Sequence, residues 1–229
     1  MTDFRDYRTE DIRRNLAVAR LRPLDVMVTG VTGAGKSTTL NSLFSKIVAE
    51  PGNGTDPMTM EVDSYALNDV MRIWDTPGLG DGVEKDRIHS QKLIDMLYKT
   101  YNLDNNTYGF IDTVLVIIEG SNRDMGTTYR LLNEVVVPNF QRDRIMVAIN
   151  QADVAMKGRH WDEERGMPDE VLLNYLENQA RSVQARVKEA TGIEIIKPVY
   201  YSAEKNYNIE AFYDMIIDNM PRCRRRLVS

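Results

Sequence analysis

The chain has 229 residues, 42% of them hydrophobic and 28% charged, which excludes the disordered and fibrous classes. Its formal net charge of −5 argues against a protein whose main task is to grip nucleic acid, because such proteins are usually basic. One cysteine, no apolar run near the ~20 residues of a membrane span and no apolar signal segment at the N-terminus predict a soluble, cytoplasmic protein without an intramolecular disulfide.

Hydrophobic periodicity predicts strands that alternate with helices along most of the chain. Short apolar runs predict strands, and longer segments with apolar residues at helical spacing predict helices. The predicted strands are 24–29, 60–67, 70–74, 111–118, 144–149 and 197–201. The predicted helices are 7–20, 36–49, 84–101, 128–137, 171–190 and 209–219.

The alternation of strands and helices predicts an α/β fold with a largely parallel sheet covered on both faces. The runs 60–67 and 70–74 are separated by Asn68-Asp69, a hairpin-like spacing, so one edge strand should be antiparallel. Residues 154–168 are polar and contain Gly and Pro, which indicates a loop or an insertion.

The histidines and tryptophans suggest structural rather than metal-binding roles. His89 and His160 are far apart and have no cysteine or second histidine beside them, so we expect no zinc site. Trp74 lies in a predicted strand and should pack in the core. Trp161 lies in the polar insertion, where we expect a partly buried loop anchor, with a partner contact as the alternative.

A glycine-rich segment, GVTGAGKS at 30–37, matches the phosphate-loop pattern G-x-x-x-x-G-K-[ST] in full. Its glycines allow successive backbone N–H groups to turn toward phosphates, and the helix that follows points its positive end at the same anion. Lys36 can reach the β- and γ-phosphates, and Ser37 can offer its hydroxyl to Mg²⁺. The predicted phosphate-binding residues are Thr32, Gly33, Ala34, Gly35, Lys36, Ser37 and Thr38.

A second motif, Asp75-Thr76-Pro77-Gly78, follows the predicted strand 70–74. Ligand sites in such sheets lie outside the carboxyl ends of the strands. We therefore expect Asp75 to bind Mg²⁺, usually through a water, and the Gly78 N–H to contact the γ-phosphate. The loop between the two motifs should supply a second hydroxyl to Mg²⁺; Thr59 is favoured because it directly precedes the hairpin, and Thr55 is the alternative.

Two short segments after later strands are suited to reading a base. In Asn150-Gln151-Ala152-Asp153, the Asp153 carboxylate can accept hydrogen bonds from N1–H and the 2-amino group of guanine, a donor pair that adenine lacks. Asn150 should brace this loop against the phosphate loop, and Gln151 should lie over the base plane. Ser202-Ala203 follows the last strand, where the Ala203 N–H can donate to guanine O6.

In this order the motifs GVTGAGKS, DTPG, NQAD and SA resemble the Ras-like GTPase superfamily. The DTPG form and the TDPMT loop are similar to the Era-like branch, and the phosphate loop also resembles those of septins and immunity-related GTPases. The resemblance covers roughly residues 24–219 and implies a three-layer P-loop NTPase fold with a six-stranded, mostly parallel sheet, one antiparallel edge strand and helices on both faces. It also implies GTP/GDP and Mg²⁺ as ligands, with switching around Thr59 and Gly78.

The resemblance divides the chain into three parts and assigns the catalytic groups. We expect a helical extension at 1–23, a GTP-binding domain at 24–220 and a basic tail at 221–229. Catalysis would rest on Lys36, Thr59 and Gly78.

Two departures from the family pattern bear on the rate of hydrolysis. Leu79 stands where Ras-like enzymes carry a water-orienting Gln, and Gly33 stands where some Era-like enzymes carry an Asn that holds K⁺. We therefore expect slow intrinsic turnover, raised by a homodimer or an activating protein, since an arginine supplied in trans adds ~10³–10⁵ in rate. Arg87 and Arg123 lie in segments that are predicted to be near the nucleotide site.

Three readings of the function remain open from the sequence. The leading one is a GTPase switch, and the rival is a GTP-binding assembly module that hydrolyses little. An ATP-binding protein is the third, against which the NQAD and SA segments argue. The run from Arg222 to Arg226 leaves an RNA or ribosome partner open, although we expect a frayed, solvated tail.

Overall fold

The computed structural model describes residue 4 and residues 6–43, 64–66, 69–121 and 125–226. Its strands are β1 (Leu24–Gly30), β2 (Ser64–Ala66), β3 (Met71–Asp75), β4 (Thr100–Leu103), β5 (Asn106–Gly109), β6 (Thr113–Glu119), β7 (Ile145–Asn150), β8 (Trp161–Asp162), β9 (Met167–Pro168) and β10 (Val199–Tyr200). Its helices are α1 (Thr9–Ala19), α2 (Lys36–Leu43), α3 (Val83–Tyr98), α4 (Gly126–Arg130), α5 (Val137–Asn139), α6 (Glu170–Thr191) and α7 (Ile209–Asp218). A π-helical segment, Leu131–Val136, joins α4 to α5.

Six strands form the central sheet in the order β10-β7-β6-β1-β3-β2. The neighbours from β10 to β3 are parallel, and β2 pairs antiparallel with β3. Val26 of β1, for example, lies between Ile73 of β3 and Thr113 of β6. The expected α/β fold with a six-stranded, mostly parallel sheet and one antiparallel edge strand is confirmed.

Side chains of the central strands alternate between two hydrophobic cores, because successive residues of a strand point to opposite faces. Val26 and Val28 of β1 lie in the core that also contains residues of α1, α2 and α7. Met27 lies in the other core, with residues of α3, α6 and the π-helical segment. Helices therefore cover both faces, which explains why β1 and β7 are buried along their whole length.

The predicted helix 84–101 is wrong at its C-terminal end. The helix α3 ends at Tyr98, and β4 then pairs with β5 in a hairpin. Asp104 and Asn105 connect the strands with φ of 50° and 63°, the left-handed turn that Asp and Asn tolerate best among residues with a side chain. The turn residues were present in the sequence, but the apolar spacing of α3 continued across the boundary.

The expectation of a frayed basic tail is wrong for the segment 221–226. Arg225 is only 2% exposed, and its guanidinium donates to the carbonyls of Leu97 and Ile111 and stacks 4.7 Å from the centre of the Phe140 ring. Arg226 forms a backbone bridge with Tyr108 of β5. The segment is thus part of the folded domain.

The polar insertion 154–168 contains the short hairpin of β8 and β9. Trp161 is 9% exposed, packs with Leu172 and Leu176 and meets Tyr207 edge-on, as expected for a loop anchor. Within the described ranges, no helix has both the length and the apolar character needed to cross a bilayer.

Candidate nucleotide site

The phosphate-loop segment connects the end of β1 to the first turn of α2. Gly33 and Gly35 have φ of 88° and 79°, a backbone region that residues with a side chain rarely adopt. A Cβ at Gly35 would lie 2.3 Å from the side-chain nitrogen of Asn150, so a larger residue does not fit there. The segment therefore has the glycine-dependent curvature that a phosphate cradle requires.

Lys36 is a buried cation at the base of this cradle. It is 9% exposed, and its Nζ donates to the carbonyls of Val31 at 3.2 Å and Gly30 at 3.5 Å. Burial lowers the pKa of Lys36, while the negative charges of Asp75 and Asp81 partly oppose that shift. A buried ammonium group is costly unless it is paired, so an anion bound beside Lys36 would be stabilised.

The DTPG segment closes directly onto the phosphate loop. The Thr32 N–H donates to the Leu79 carbonyl at 2.8 Å, and the Leu79 N–H donates to the Gly30 carbonyl at 3.3 Å. A Cβ at Gly78 would lie 2.8 Å from both Lys36 Nζ and the Thr32 backbone nitrogen. Gly78 is therefore next to the cation that is expected to bind the β- and γ-phosphates.

Helix α3 holds the loop that follows Asp75 in place. Asp86 Oδ1 accepts the backbone N–H groups of Gly80 at 2.8 Å and Asp81 at 3.2 Å. His89, one turn further along α3, has its Nδ1 2.8 Å from the Gly78 carbonyl oxygen. Neither residue was predicted from the sequence to be part of the site; the only signal was their i, i+3 spacing on a helix directly after the motif.

One pocket is lined by the phosphate loop, the DTPG segment and Gln151. Gln151 belongs to the segment 150–153, called here the base-reading loop because it is predicted to contact a base. The pocket wall includes Ser37 and Asp75, the two described residues predicted to bind Mg²⁺. No group of three His, Cys, Asp or Glu side chains in the described part of the chain is arranged to hold a metal ion. One hydroxyl and one carboxylate nonetheless fit Mg²⁺, which commonly takes few protein ligands and completes its shell with phosphate oxygens and water. The lining residues are Thr32, Gly33, Gly35, Lys36, Ser37, Thr38, Asp75, Thr76, Pro77, Gly78, Asp81, His89 and Gln151.

The base-reading loop is tied to the phosphate loop by two side chains. Asn150 Nδ2 donates to the Ala34 carbonyl at 3.0 Å, which is the expected bracing contact. Gln151 has a left-handed φ of 62°, and its Nε2 donates to the Gly33 carbonyl at 2.8 Å. Both ends of the site are thus connected by hydrogen bonds within the protein.

The Asp153 carboxylate is a buried hydrogen-bond acceptor that is not fully satisfied by the described residues. It is 7% exposed, and its Oδ1 is buried without a hydrogen-bond partner among the described residues. An unsatisfied buried acceptor costs roughly 1–3 kcal/mol. Guanine offers two N–H donors to such a carboxylate, so the environment fits a guanine base, although Asp153 itself does not line the phosphate pocket.

The Ser202-Ala203 segment differs from its expected geometry. The Ala203 N–H donates to Asn150 Oδ1 at 3.0 Å instead of being available for guanine O6. Ser202 is fully buried, and its hydroxyl accepts from the Lys205 N–H at 3.1 Å. In this conformation the segment braces the base-reading loop, and neither residue lines the phosphate pocket.

Three further predicted residues lie outside the described ranges: Thr55, Thr59 and Arg123. Arg87 is described, and its exposed side chain pairs with Glu84 one helical turn earlier at 2.8 Å.

Residues 25–186 match a family described as "50S ribosome-binding GTPase". An alignment over 74 residues shows 36% identity to Septin-12 of Rattus norvegicus and covers 28% of this chain and 21% of the septin. The comparison with the septin therefore concerns about a fifth of that protein.

The fold is similar to two solved structures. A GTP-binding protein from the hyperthermophilic archaeon Sulfolobus solfataricus, solved in complex with GDP, superposes with a TM-score of 0.52 at 17% identity, over 92% of this chain and 54% of the archaeal chain. A probable GTP-binding protein engB gives a TM-score of 0.50 at 19% identity, over 85% of this chain and 97% of that one. This chain thus spans about half the length of the archaeal protein.

Proposed function

The chain belongs to the 50S ribosome-binding GTPase family, and from that premise we propose that it binds GTP and GDP with Mg²⁺ and hydrolyses GTP slowly as a nucleotide-controlled switch. We further propose an Era-like, cytoplasmic protein whose turnover is raised by a second copy or by an activating partner. The proposal concerns the GTP-binding domain predicted at 24–220, against which the segment 221–226 packs.

One observation supports the proposal more than any other. The buried ammonium group of Lys36 and the buried carboxylate of Asp153 lie in two segments that are joined by hydrogen bonds. Lys36 is suited to phosphates, and Asp153 is suited to the donor edge of guanine. Asn150 donates to the Ala34 carbonyl and accepts from Ala203, so the two loops are held in a common frame. A guanine nucleotide carries phosphates that suit Lys36 and a base edge with two donors that suit Asp153.

Each residue of the site has a separate task in the proposed reaction. The N–H groups of 33–38 and the Lys36 ammonium bind the β- and γ-phosphates and stabilise negative charge as it moves onto the β–γ bridging oxygen. The Gly78 N–H senses the γ-phosphate. Ser37, Asp75 and, in the switch loop, Thr59 would hold Mg²⁺, which when bound neutralises charge on the β- and γ-phosphate oxygens.

A GTP-binding assembly module remains the second candidate, favoured by the 74-residue alignment with a septin. Phosphate release under saturating GTP, measured at several protein concentrations, separates the two functions. We expect turnover that is measurable at low concentration; hydrolysis that is absent at every concentration, with tight GTP binding, would favour the assembly module.

The first test of base recognition is a titration with fluorescent GDP and GTP, competed by unlabelled ATP. We expect ATP to compete poorly, and Asp153→Asn to weaken guanine binding by at least tenfold, on the order of 1.4 kcal/mol or more. The matched control is Asp143→Asn, an exposed carboxylate at the amino-terminal edge of the sheet, which should bind as the wild type does.

Binding of a xanthine nucleotide tests whether the Asp153→Asn protein is folded and still has a base-binding site. Xanthine has a carbonyl where guanine has its 2-amino group, so the new amide can donate to it. Gain of xanthosine diphosphate binding would support the assignment. Equal competition by ATP, or guanine binding that the substitution leaves unchanged, would overturn it.

A further inference from the structure

The residue at the usual water-orienting position is unable to perform that task. Leu79 directly follows the DTPG motif, but it is 1% exposed and its side chain belongs to the core beneath α3. Both of its backbone polar groups are bonded to the phosphate loop, at Gly30 and Thr32. If this chain supplies the acceptor for the attacking water, the acceptor therefore comes from another residue of the pocket.

His89 is the pocket-lining side chain whose chemistry fits this need. His89 lines the same pocket as Lys36, Asp75 and Gly78. Its Nδ1 lies 2.8 Å from the Gly78 carbonyl oxygen, and because a carbonyl only accepts, Nδ1 must carry the proton. In the neutral ring, Nε2 is then an acceptor, and it makes no hydrogen bond with any residue that the structure describes.

The helix that carries His89 also fixes the loop that should contact the γ-phosphate. Asp86 accepts from Gly80 and Asp81, while His89 donates to Gly78. The position of the His89 imidazole relative to the Gly78 N–H is therefore fixed by these hydrogen bonds. A water bound near the γ-phosphate would meet a ring whose orientation is already set, which is the condition for effective positioning.

Two other polar residues of the pocket are less suited to the role. The Gln151 amide nitrogen is bonded to the Gly33 carbonyl at 2.8 Å, on the base side of the cradle. Asp75 is assigned to Mg²⁺ in the proposed function. Among the described residues, His89 thus combines a fixed ring with an acceptor that has no protein partner.

We propose that His89 orients the attacking water for GTP hydrolysis, with Nε2 as the acceptor of the water's hydrogen bond; this inference rests on the proposed function. The water oxygen forms a bond to the γ-phosphorus while the bond from that phosphorus to the β–γ bridging oxygen breaks. The bridging oxygen leaves with its electron pair on GDP, and the proton lost by the water ends on the released phosphate or in solvent.

Two substitutions at position 89 separate water positioning from simple anchoring of Gly78. In His89→Asn the amide nitrogen replaces Nδ1 and can still donate to Gly78, but nothing replaces Nε2. In His89→Gln the longer amide reaches the position of Nε2 and its oxygen can accept from water. The matched control is His160→Gln, at the chain's other histidine, which pairs with Asp169 outside the pocket.

The measurements are kcat for GTP under saturating substrate and the dissociation constant for GDP. We expect His89→Asn to lower kcat by about tenfold or more, and His89→Gln to stay within about threefold of the wild type. GDP affinity and melting temperature should change little in either variant, which shows that both proteins are folded. His160→Gln should match the wild type.

Three results would overturn the inference. A wild-type rate in His89→Asn together with a slow His89→Gln protein would mean that His89 only anchors Gly78. Wild-type rates in both variants would mean that His89 has no part in the reaction. Absence of turnover in the wild type that still binds GTP would overturn the hydrolysis part of the proposed function first, and is recognised without any variant.

Discussion

Asn150 connects the phosphate end of the site to the base end through a single amide group. Its nitrogen donates to the Ala34 carbonyl and its oxygen accepts from the Ala203 N–H, both at 3.0 Å. The amide cannot rotate by half a turn without facing a donor with a donor, so its orientation is fixed. The two loops are therefore held in one arrangement by contacts within the protein, which lowers the ordering cost of binding.

Asp112 is a buried carboxyl group at the opposite end of the sheet, just before β6. It is 4% exposed, and its Oδ2 accepts the Asp25 N–H at 3.1 Å. Burial raises the pKa of Asp112 to about 7, with a further upward contribution from the charge of Asp25 and opposing contributions from Arg144 and Arg225. Between pH 3.8 and about 7 the folded protein therefore favours the protonated carboxyl, which the unfolded chain has lost.

This group makes stability depend on pH. The folded-state pKa of about 7 lies above the ordinary value of 3.8, so the stabilising proton is fully effective below 3.8 and is lost as pH rises toward 7. Asp112→Asn removes the ionised form but keeps a carbonyl acceptor for Asp25. The wild type should lose about 2–3 kcal/mol of its free energy of unfolding between pH 5 and pH 8 because of this group, and Asp112→Asn should not. The difference between the variant and the wild type should therefore shift by that amount in favour of the variant.

Urea unfolding at both pH values checks this prediction, with Asp143→Asn as the exposed control. The control should show no such shift. An advantage of Asp112→Asn that is the same at pH 5 and pH 8 would contradict the raised pKa.

At the scale of elements, the C-terminal segment completes the β4–β5 hairpin. The Gly109 N–H donates to the Arg225 carbonyl at 2.8 Å, and the Gln141 amide donates to the Arg226 carbonyl at 3.2 Å. A Cβ at Gly109 would lie 2.3 Å from the Arg225 guanidinium, so glycine there leaves room for the buried arginine. The hairpin and the segment therefore stabilise each other.

Removal of the Arg225 side chain should destabilise the domain. The two carbonyls that it satisfies, at Leu97 and Ile111, would lose their partner, and a cavity would form beside Phe140. We expect Arg225→Ala to lower the free energy of unfolding by about 2–4 kcal/mol in urea denaturation. Arg222→Ala, an exposed arginine of the same run, should change it by less than about 0.5 kcal/mol. Equal effects of the two substitutions would contradict the buried role of Arg225.

At the scale of the molecule, parallel strands bring motifs that are distant in sequence to one edge of the sheet. The phosphate loop follows β1, Asp75 ends β3 and Asn150 ends β7. In a parallel sheet the carboxyl ends of all these strands meet at the same edge. A nucleotide bound there would contact loops from both halves of the chain and should stabilise the whole domain.

Thermal melting with GDP and Mg²⁺ tests this expectation. Free GDP at 100 times its dissociation constant should add about 2.7 kcal/mol of stability and raise the melting temperature. The same concentration of ADP should raise it much less, and Asp153→Asn should lose most of the GDP effect. A shift of equal size with ADP would show that the base makes no contribution.

The sequence alone determined the elements whose signal is local. Runs of apolar residues predicted the strands of the central sheet but not the β4–β5 and β8–β9 hairpins. The phosphate-loop pattern predicted a glycine-dependent turn between a strand and a helix, because neighbouring residues dictate that conformation. The order of elements then implied a mostly parallel sheet, as the structure confirms.

Only the tertiary structure decided the contacts between distant segments. It buried Leu79, placed His89 against Gly78, paired the Ala203 N–H with Asn150 and inserted Arg225 between Leu97 and Ile111. None of these pairs shares a local pattern, since each depends on how helices and loops pack across the sheet. The hydrogen-bond partner of a polar group is chosen by that packing, and residue type by itself states only that a partner is required.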